Sequence, residues 1–577
     1  MRDNIFDFHL QRLQSATLGA HTTKTLPEWI SKHTKLNSSA YSFKDHEYQE
    51  RILRDDSAEV IIKKCSQVGI SELSVRMSLA LANIIPGYTI IYTLPTAKFA
   101  GTFMRTRIDP VVQSSPYLNA AVHTSTDNAD VKRFGDSYIY VKGAQSSNAP
   151  ISVPADHLVH DEVDFSSPEV ISQYHSRLTH SKYQRKTKLS TPTLPKFGID
   201  YEFQRSRRHF NMVKCHHCNH YFIPDYYTHV RVPGWSGDLH TVTKTNIFNL
   251  SYLSAYVECP SCGKAPSLQV EHREWVCENP GENYVAVGYQ VSPFDAPNII
   301  SPGYLIKAST EYKKVTDFIN FNLGLSAEDA DSTLTREELL AAIYAGEVSG
   351  TPGVVMGLDM GLLCHCIIAA ISWDGMFNII HTEIIPMQNV VARRKELARQ
   401  FRVRMTVVDA LPYTETVMRM QIEEENLFAS YYTNAKTIEM YHVVKRDEDE
   451  EKGVAQLRQV NVNRNRAFDG LMDTVRAKAL SKKTDEHDET WIEHLQDMKR
   501  VRQYTQDNEL TYVWQKSLSG DDHFHHATLY AWIAAKMVGV ATSTNVMPTL
   551  ISAFPVKAEM PGIIADPYGG FWGKRSN

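Results

Sequence analysis

The chain has 577 residues, with 61 Lys and Arg against 66 Asp and Glu, a formal net charge of −5 and a hydrophobic share of 42%. At roughly 100–200 residues per domain this length predicts about three to five units, and the composition excludes a wholly disordered or collagen-like chain. The near-neutral balance excludes a protein that wraps DNA by bulk positive charge, while a local basic stripe stays open.

The first nine residues hold no apolar core, so no secretory leader is expected. The longest apolar stretches, 73–92 and 527–540, are interrupted by Arg76 and Pro86 or cut short with Lys536 inside. A bilayer needs about 20 apolar residues. The sequence therefore reads as soluble and intracellular, with no membrane partner. Eight cysteines are too few for a disulfide scaffold, and four of them form two Cys-x-x-Cys pairs, which points to metal.

Residues 1–45, polar and with Pro27, are expected to be an arm or adaptor. Within 46–345, residues 60–62 predict a buried strand, 72–83 a helix and 88–94 a second strand, a parallel α/β signature. Residues 138–141, 157–160 and 187–190 continue the sheet. Residues 201–285, rich in aromatics, His and Cys, read as an insertion, and 286–345 as partly helical. Ser349-Gly350-Thr351-Pro352-Gly353 marks a linker over 346–353. A second α/β unit follows over 354–541. Its acidic run 447–451 reads as a solvated loop, and the proline-bearing tail 542–577 as extended.

Lys64-Cys65-Ser66-Gln67-Val68-Gly69-Ile70-Ser71 follows the first strand and opens the helix. Backbone N–H groups and a helix N-terminus converge on an anion at such a place. Against G-x-x-x-x-G-K-[ST], Gly69 and Ser71 match, Ile70 stands where the lysine belongs, and Lys64 replaces the first glycine. Lys64 can fold back over the phosphates of a nucleotide, with Lys63 as the next candidate, and Ser71 is the expected Mg²⁺ ligand. A short apolar strand then ends in Asp161-Glu162. The Asp suits Mg²⁺ and the Glu suits orienting and deprotonating the attacking water. Ser190-Thr191-Pro192-Thr193 ends a further strand in small hydroxylated residues, placed to sense a γ-phosphate.

These elements resemble the large terminase subunit of tailed phages, of the GpA type. The likeness rests on the loop 64–71, on Tyr92-Thr93-Leu94-Pro95-Thr96, on residues 103–110 and 143–147, on His160-Asp161-Glu162-Val163-Asp164 and on the Ser-Thr-Pro-Thr segment, and it spans about residues 45–540. It implies a P-loop ATPase sheet with a zinc-knuckle insertion, followed by an RNase H-like nuclease. It implies ATP and Mg²⁺ as cofactors, phosphate binding by Lys64, and an adenine contact at Gln49. It further implies a charge-neutralising arginine at Arg105 or Arg107, with Arg107 taken for the nucleotide site. Residues 148–154 carry no arginine, unlike the corresponding stretch of that family.

Cys215, Cys218, Cys259 and Cys262 are spaced as two knuckles, and four thiolates make a closed structural Zn²⁺ site. Farther on, Asp359 and Asp409 each end an apolar strand and Asp522, with Asp521 as its close alternative, opens a helix. Three such acids can hold two Mg²⁺ or Mn²⁺ ions for phosphodiester cleavage. The resemblance implies double-stranded DNA, a small terminase subunit and a portal protein as partners, a homo-oligomeric packaging ring, and the host cytoplasm as location. A helicase–nuclease of repair or restriction is the rival reading, but it needs a second ATPase-like domain that the sequence lacks. A scaffold with decayed sites conflicts with the intact acids.

Overall fold

The computed structural model describes residues 25–538, apart from 124–127, 129, 146–152, 330, 347–352, 374, 435–436, 439, 445–457, 506 and 518–519. The tail 542–577, most of the linker 346–353, the acidic run 447–451 and most of the arginine-free stretch 148–154 lie outside the described residues. The chain folds as two compact units, residues 1–333 with 497–521 and residues 334–496 with 522–577. Among the described residues no helix is long and apolar enough to cross a membrane.

The first unit is built on a ten-stranded sheet. Its strands are β1 (Glu59–Lys64), β2 (Thr89–Leu94), β3 (Val131–Phe134), β4 (Ser137–Gly143), β5 (His157–Asp161), β6 (Arg185–Ser190), β7 (Arg207–Lys214), β8 (Tyr221–Phe222), β9 (Arg273–Cys277) and β10 (Val287–Val291). The order is β8-β7-β10-β1-β6-β5-β2-β4-β3, with β9 also on β7. All pairings from β7 to β4 are parallel. Strands covered on both faces need continuous apolar runs, and β1, β2 and β5 are buried along nearly their whole length. The helix after β1, α1 (Ile70–Ile84), starts from Gly69 in a left-handed conformation.

The second unit has a nine-stranded sheet. Its strands are β11 (Ile343–Tyr344), β12 (Gly353–Asp359), β13 (Leu363–Ile371), β14 (Phe377–Pro386), β15 (Met405–Asp409), β16 (Leu427–Thr433), β17 (Tyr441–Val443), β18 (Gln459–Asn463) and β19 (Leu480–Lys483). The order is β11-β19-β14-β13-β12-β15-β16-β18-β17. The first three strands of its core, β12 to β14, form antiparallel neighbours, and β15 and β16 add in parallel on the far side of β12. Helix α2 (His523–Met537) lies directly on β12. A Cβ at Gly357 would come within 2.1 Å of the Ala527 carbonyl, so only glycine admits this approach.

The boundaries differ from the sequence partition at three places. Residues 25–45 are not a free arm: Leu26, Trp29, Ile30, Tyr41 and Phe43 are buried in the core of the first unit. The second unit begins at Leu334, before the linker, because β11 pairs in parallel with β19. The hairpin Met498–Tyr504 with Leu510–Lys516 sits inside the expected second unit in sequence but packs in the first. There Val501 joins Leu194 and Phe197, and Arg502 pairs with Asp317.

Candidate functional sites

Strands β1, β6 and β5 are adjacent and parallel, so their C-terminal ends gather Lys64, Ser190 and Asp161-Glu162. Neighbouring strand residues face opposite ways, and this separates the two lysines. Lys63 points to the other face, where its Nζ is 2.6 Å from the buried carboxylate of Asp200. Lys64 Nζ lies 3.2 Å from Glu162 Oε1. Burial alone would depress the Lys64 ammonium, but Glu162 and Asp161 hold its pKa above the ordinary value. Glu162 has a left-handed backbone (φ 56°), a conformation that costs energy for a non-glycine residue. Its second carboxylate oxygen accepts from Ser190 Oγ at 3.4 Å.

Asp161 accepts a 2.7 Å hydrogen bond from Tyr92 at one oxygen, while its other oxygen is buried without a hydrogen-bond partner. Burial and the adjacent Glu162 push its pKa up to about 6, against the pull of Lys64, Tyr92 and Ser71. An orphaned carboxylate oxygen with the Ser71 hydroxyl close by is a donor set of the kind hard cations take. The loop itself is braced from behind. Tyr48 and Gln49 both donate to the Val68 carbonyl, and Gln49 accepts from Tyr41 at 2.8 Å. Both ends of the fully buried Gln49 amide are thus engaged by the protein. Arg105 and Arg107 lie in a π-helical turn, Met104–Ile108. Arg107 Nη1 is 2.6 Å from Glu72 on α1, and Arg105 is exposed.

The hairpin 498–516 reaches the same neighbourhood. The Tyr504 ring packs edge-on against Phe99 at 4.8 Å and against Phe165 at 5.8 Å, three residues after Glu162. The Tyr504 carbonyl accepts from Gln145, and Asn508 meets Thr96. No local sequence signal marks this hairpin, because its packing partners lie about 330–410 residues away in the chain.

The four knuckle thiols converge. Cys215 and Cys262 Sγ are 3.8 Å apart and Cys218 and Cys259 Sγ 3.7 Å. The edge of a tetrahedron with metal–sulfur bonds of about 2.3 Å is about 3.8 Å. The two knuckles repeat one backbone pattern. Cys215 N–H donates to the His220 carbonyl and Cys259 N–H to that of Lys264, each at 2.9 Å. Asn219 and Gly263, the fourth residues after each first cysteine, are both left-handed. His216 accepts from the Ser267 N–H, and His217 lies 3.2 Å from the Ala265 carbonyl, so these rings are tied to the protein rather than joined to the thiols.

In the second unit, Asp359 and Asp409 end the parallel neighbours β12 and β15. Burial and the charge of Asp359 push Asp409 up to about 6. His365, on β13, stands directly across from Asp359. Asp522 is at the N-cap of α2, but its carboxylate lies 3.1 Å from His526 Nε2, whose Nδ1 meets the Tyr432 hydroxyl at 2.6 Å. The side chain set against Asp359 is that of His523, at 2.9 Å, and Asp521 is exposed.

The first site, with a strand-borne lysine, a left-handed loop and an Asp-Glu pair on the next strand but one, defines a P-loop-type ATPase. Residues 45–279 match the family model for the phage terminase large subunit gpA, ATPase domain. It is this segment, and not the whole chain, that is similar to the ATPase domain of a phage terminase large subunit. No curated protein matches the sequence. Among solved structures, the HK97 bacteriophage large terminase is 11% identical over 89% of this chain and 99% of that one, with a TM-score of 0.46. The ATPase domain of the Thermus phage P74-26 large terminase is 14% identical over 50% of this chain and 98% of that one, with a TM-score of 0.30. The nuclease of the large terminase from thermophilic phage G20c is 14% identical over 34% of this chain and 95% of that one, with a TM-score of 0.23.

Proposed function

We propose that the chain hydrolyses ATP to drive double-stranded DNA into a procapsid and cuts that DNA at a second, metal-dependent site. The observation that carries the motor reading is the convergence of Lys64, Asp161, Glu162 and Ser190 at adjacent strand ends with Ser71 at the start of the following helix, within the segment matched to the ATPase domain. Lys64 neutralises phosphate charge. Asp161 and Ser71 are the residues to hold Mg²⁺, which supplies further charge neutralisation. Glu162 orients water, and Ser190, bonded to it, is positioned to report on the γ-phosphate. Arg107 reaches a nucleotide only by leaving Glu72. Gln49 acts by bracing the loop.

The strand order β14-β13-β12-β15-β16, antiparallel on one side and parallel on the other, supports an RNase H-like nuclease reading of the second unit. Asp359 and Asp409, with Asp522 at the start of α2, are the residues to hold Mg²⁺ or Mn²⁺. Divalent ions there supply water activation and leaving-group stabilisation. The knuckle spacing supports one structural Zn²⁺ on Cys215, Cys218, Cys259 and Cys262. In this role the chain works in the host cytoplasm as a homo-oligomeric ring on the portal, with the small terminase subunit.

The test is ATP turnover measured with and without linear double-stranded DNA and procapsids. Stimulation by both is expected. Turnover indifferent to both would overturn the coupling of hydrolysis to DNA movement.

A further inference from the structure

The second unit holds a group of donors that the acid-only reading does not use. One ligand atom each of Asp359, His365 and His523 lies within 4.8 Å of the others. All three come from different elements. Asp359 ends β12, His365 is its cross-strand partner on β13, and His523 opens α2. His523 Nδ1 is 2.9 Å from Asp359 Oδ2. Metal–ligand bonds of about 2.1 Å in an octahedron put neighbouring ligand atoms about 3.0 Å apart.

An independent observation points to a ligand. His365 is 5% exposed and its Nδ1 has no hydrogen-bond partner among the described residues. A buried ring nitrogen left unpaired is costly unless something occupies it. Its ring is stacked on that of His523, with centroids 4.8 Å apart and planes 13° apart. The third ring of the group, His494, already accepts from the Phe524 N–H and is not needed as a ligand.

We propose that Asp359, His365 and His523 form a mixed carboxylate–imidazole position that takes a first-row transition-metal ion, and selects Mn²⁺ or Co²⁺ over Mg²⁺ and Ca²⁺. This rests on the nuclease reading above and adds to it two nitrogen ligands and a metal preference. The physical ground is donor chemistry. Mg²⁺ and Ca²⁺ prefer all-oxygen shells, whereas imidazole nitrogen favours transition ions and binds them more tightly along the series from Mn²⁺ to Co²⁺. Two imidazoles in one shell tilt the position away from Mg²⁺ without any change in the carboxylates.

Pulsed electron paramagnetic resonance on the nucleotide-free, zinc-loaded full chain with one equivalent of Mn²⁺ tests this directly. Nitrogen modulation from bound imidazole is expected in the unmodified protein, so the reading does not depend on a variant folding. The companion measurement is Mn²⁺ and Mg²⁺ affinity by calorimetry. His365→Gln and His523→Gln should each weaken Mn²⁺ about tenfold or more and leave Mg²⁺ within about twofold. His365→Asp should narrow the preference for Mn²⁺ by strengthening Mg²⁺. Bound Mn²⁺ without nitrogen modulation, or a Mn²⁺-to-Mg²⁺ ratio unchanged in both glutamine variants, would overturn the proposal. If Asp359→Ala abolishes DNA cleavage in that case, the nuclease reading stands and only the imidazole ligands fall. If Asp359→Ala still cuts DNA, the nuclease reading itself falls.

Discussion

Glu162→Gln should stop ATP turnover without weakening the fold, while Lys64→Ala should do both kinds of damage. Buried Lys64 and Asp161 and the partly buried Glu162 form a cluster of one cation and two carboxylates. Glu162→Gln would keep the shape and leave Lys64 facing Asp161 as a balanced pair. It would also remove one cause of the raised Asp161 pKa. The sign follows from linkage. A carboxyl whose folded pKa is raised from 3.8 to about 6 loses stability as pH rises through that window, a cost on the order of 1–3 kcal/mol at neutral pH. Part of that cost disappears in Glu162→Gln, so its melting temperature at pH 7.5 should equal or exceed the wild-type value. Its turnover should fall about 10²–10⁴-fold, the usual worth of a positioned general base. Lys64→Ala instead leaves the buried Asp161 and the partly buried Glu162 without their cation. Breaking a buried pair costs about 3–5 kcal/mol, or roughly 4–7 °C for a unit of more than 300 residues. The assay is phosphate release and thermal melting on the same preparations. A Glu162→Gln protein that hydrolyses ATP near the wild-type rate, or melts as low as Lys64→Ala, refutes the reasoning.

Three further outcomes are expected. Cys259→Ser should remove one zinc per chain by elemental analysis and expose residues 201–285 to limited proteolysis, because structural zinc binding is also folding energy. Asp359→Ala should lose plasmid nicking with Mg²⁺ and Mn²⁺ while retaining phosphate release, since the cation ligands proposed for ATP hydrolysis, Ser71 and Asp161, lie in the other unit. Tyr504→Ala should lower ATP turnover about tenfold or more by freeing Phe165, since small displacements near a reacting centre cost rate steeply, whereas Tyr504→Phe, which keeps the ring against Phe99 and Phe165, should remain close to wild type.

What could be read from the sequence follows how local each signal is. The placing of Lys64 and Asp161 at strand ends and of Gly69 and Ser71 at the start of a helix was legible because strand, turn and helix follow one another within a few residues. That Lys63 and Lys64 face opposite ways needed only the alternation of a strand, and Lys63 pairs with the buried Asp200. The knuckles were legible from spacing. Gln49 was not, because its role is fixed by Tyr41 and the Val68 carbonyl, one close in sequence and one on the loop it supports. Residues 25–45 looked like an arm because five buried apolar side chains are scattered among polar ones. The hairpin 498–516 and the cross-strand position of His365 depend on pairing partners that no local pattern encodes. The choice between Asp521 and Asp522 turned on side-chain direction at a helix start, and there the structure sets His523, not either acid, against Asp359.

Both sites place acids at the C-terminal ends of parallel strands, but they balance charge differently, and that difference bears on what each one binds. In the first unit the fixed cation is part of the chain: Lys64 holds Glu162 and its own pKa is raised by the acids around it. Phosphates entering there meet a preformed positive charge. At Asp409 the nearest influences are burial, the like charge of Asp359 and the imidazole of His526, and the carboxyl is pushed up to about 6. None of the largest influences on Asp409 is a lysine or arginine, so it has no counterpart of Lys64. Carboxylates held together in this way repel one another until something cationic arrives. A polyanionic substrate would add to that repulsion. If the proposed roles hold, the second site needs cations that are not part of the chain before it takes a phosphodiester, whereas the first already carries one fixed positive charge for a nucleotide.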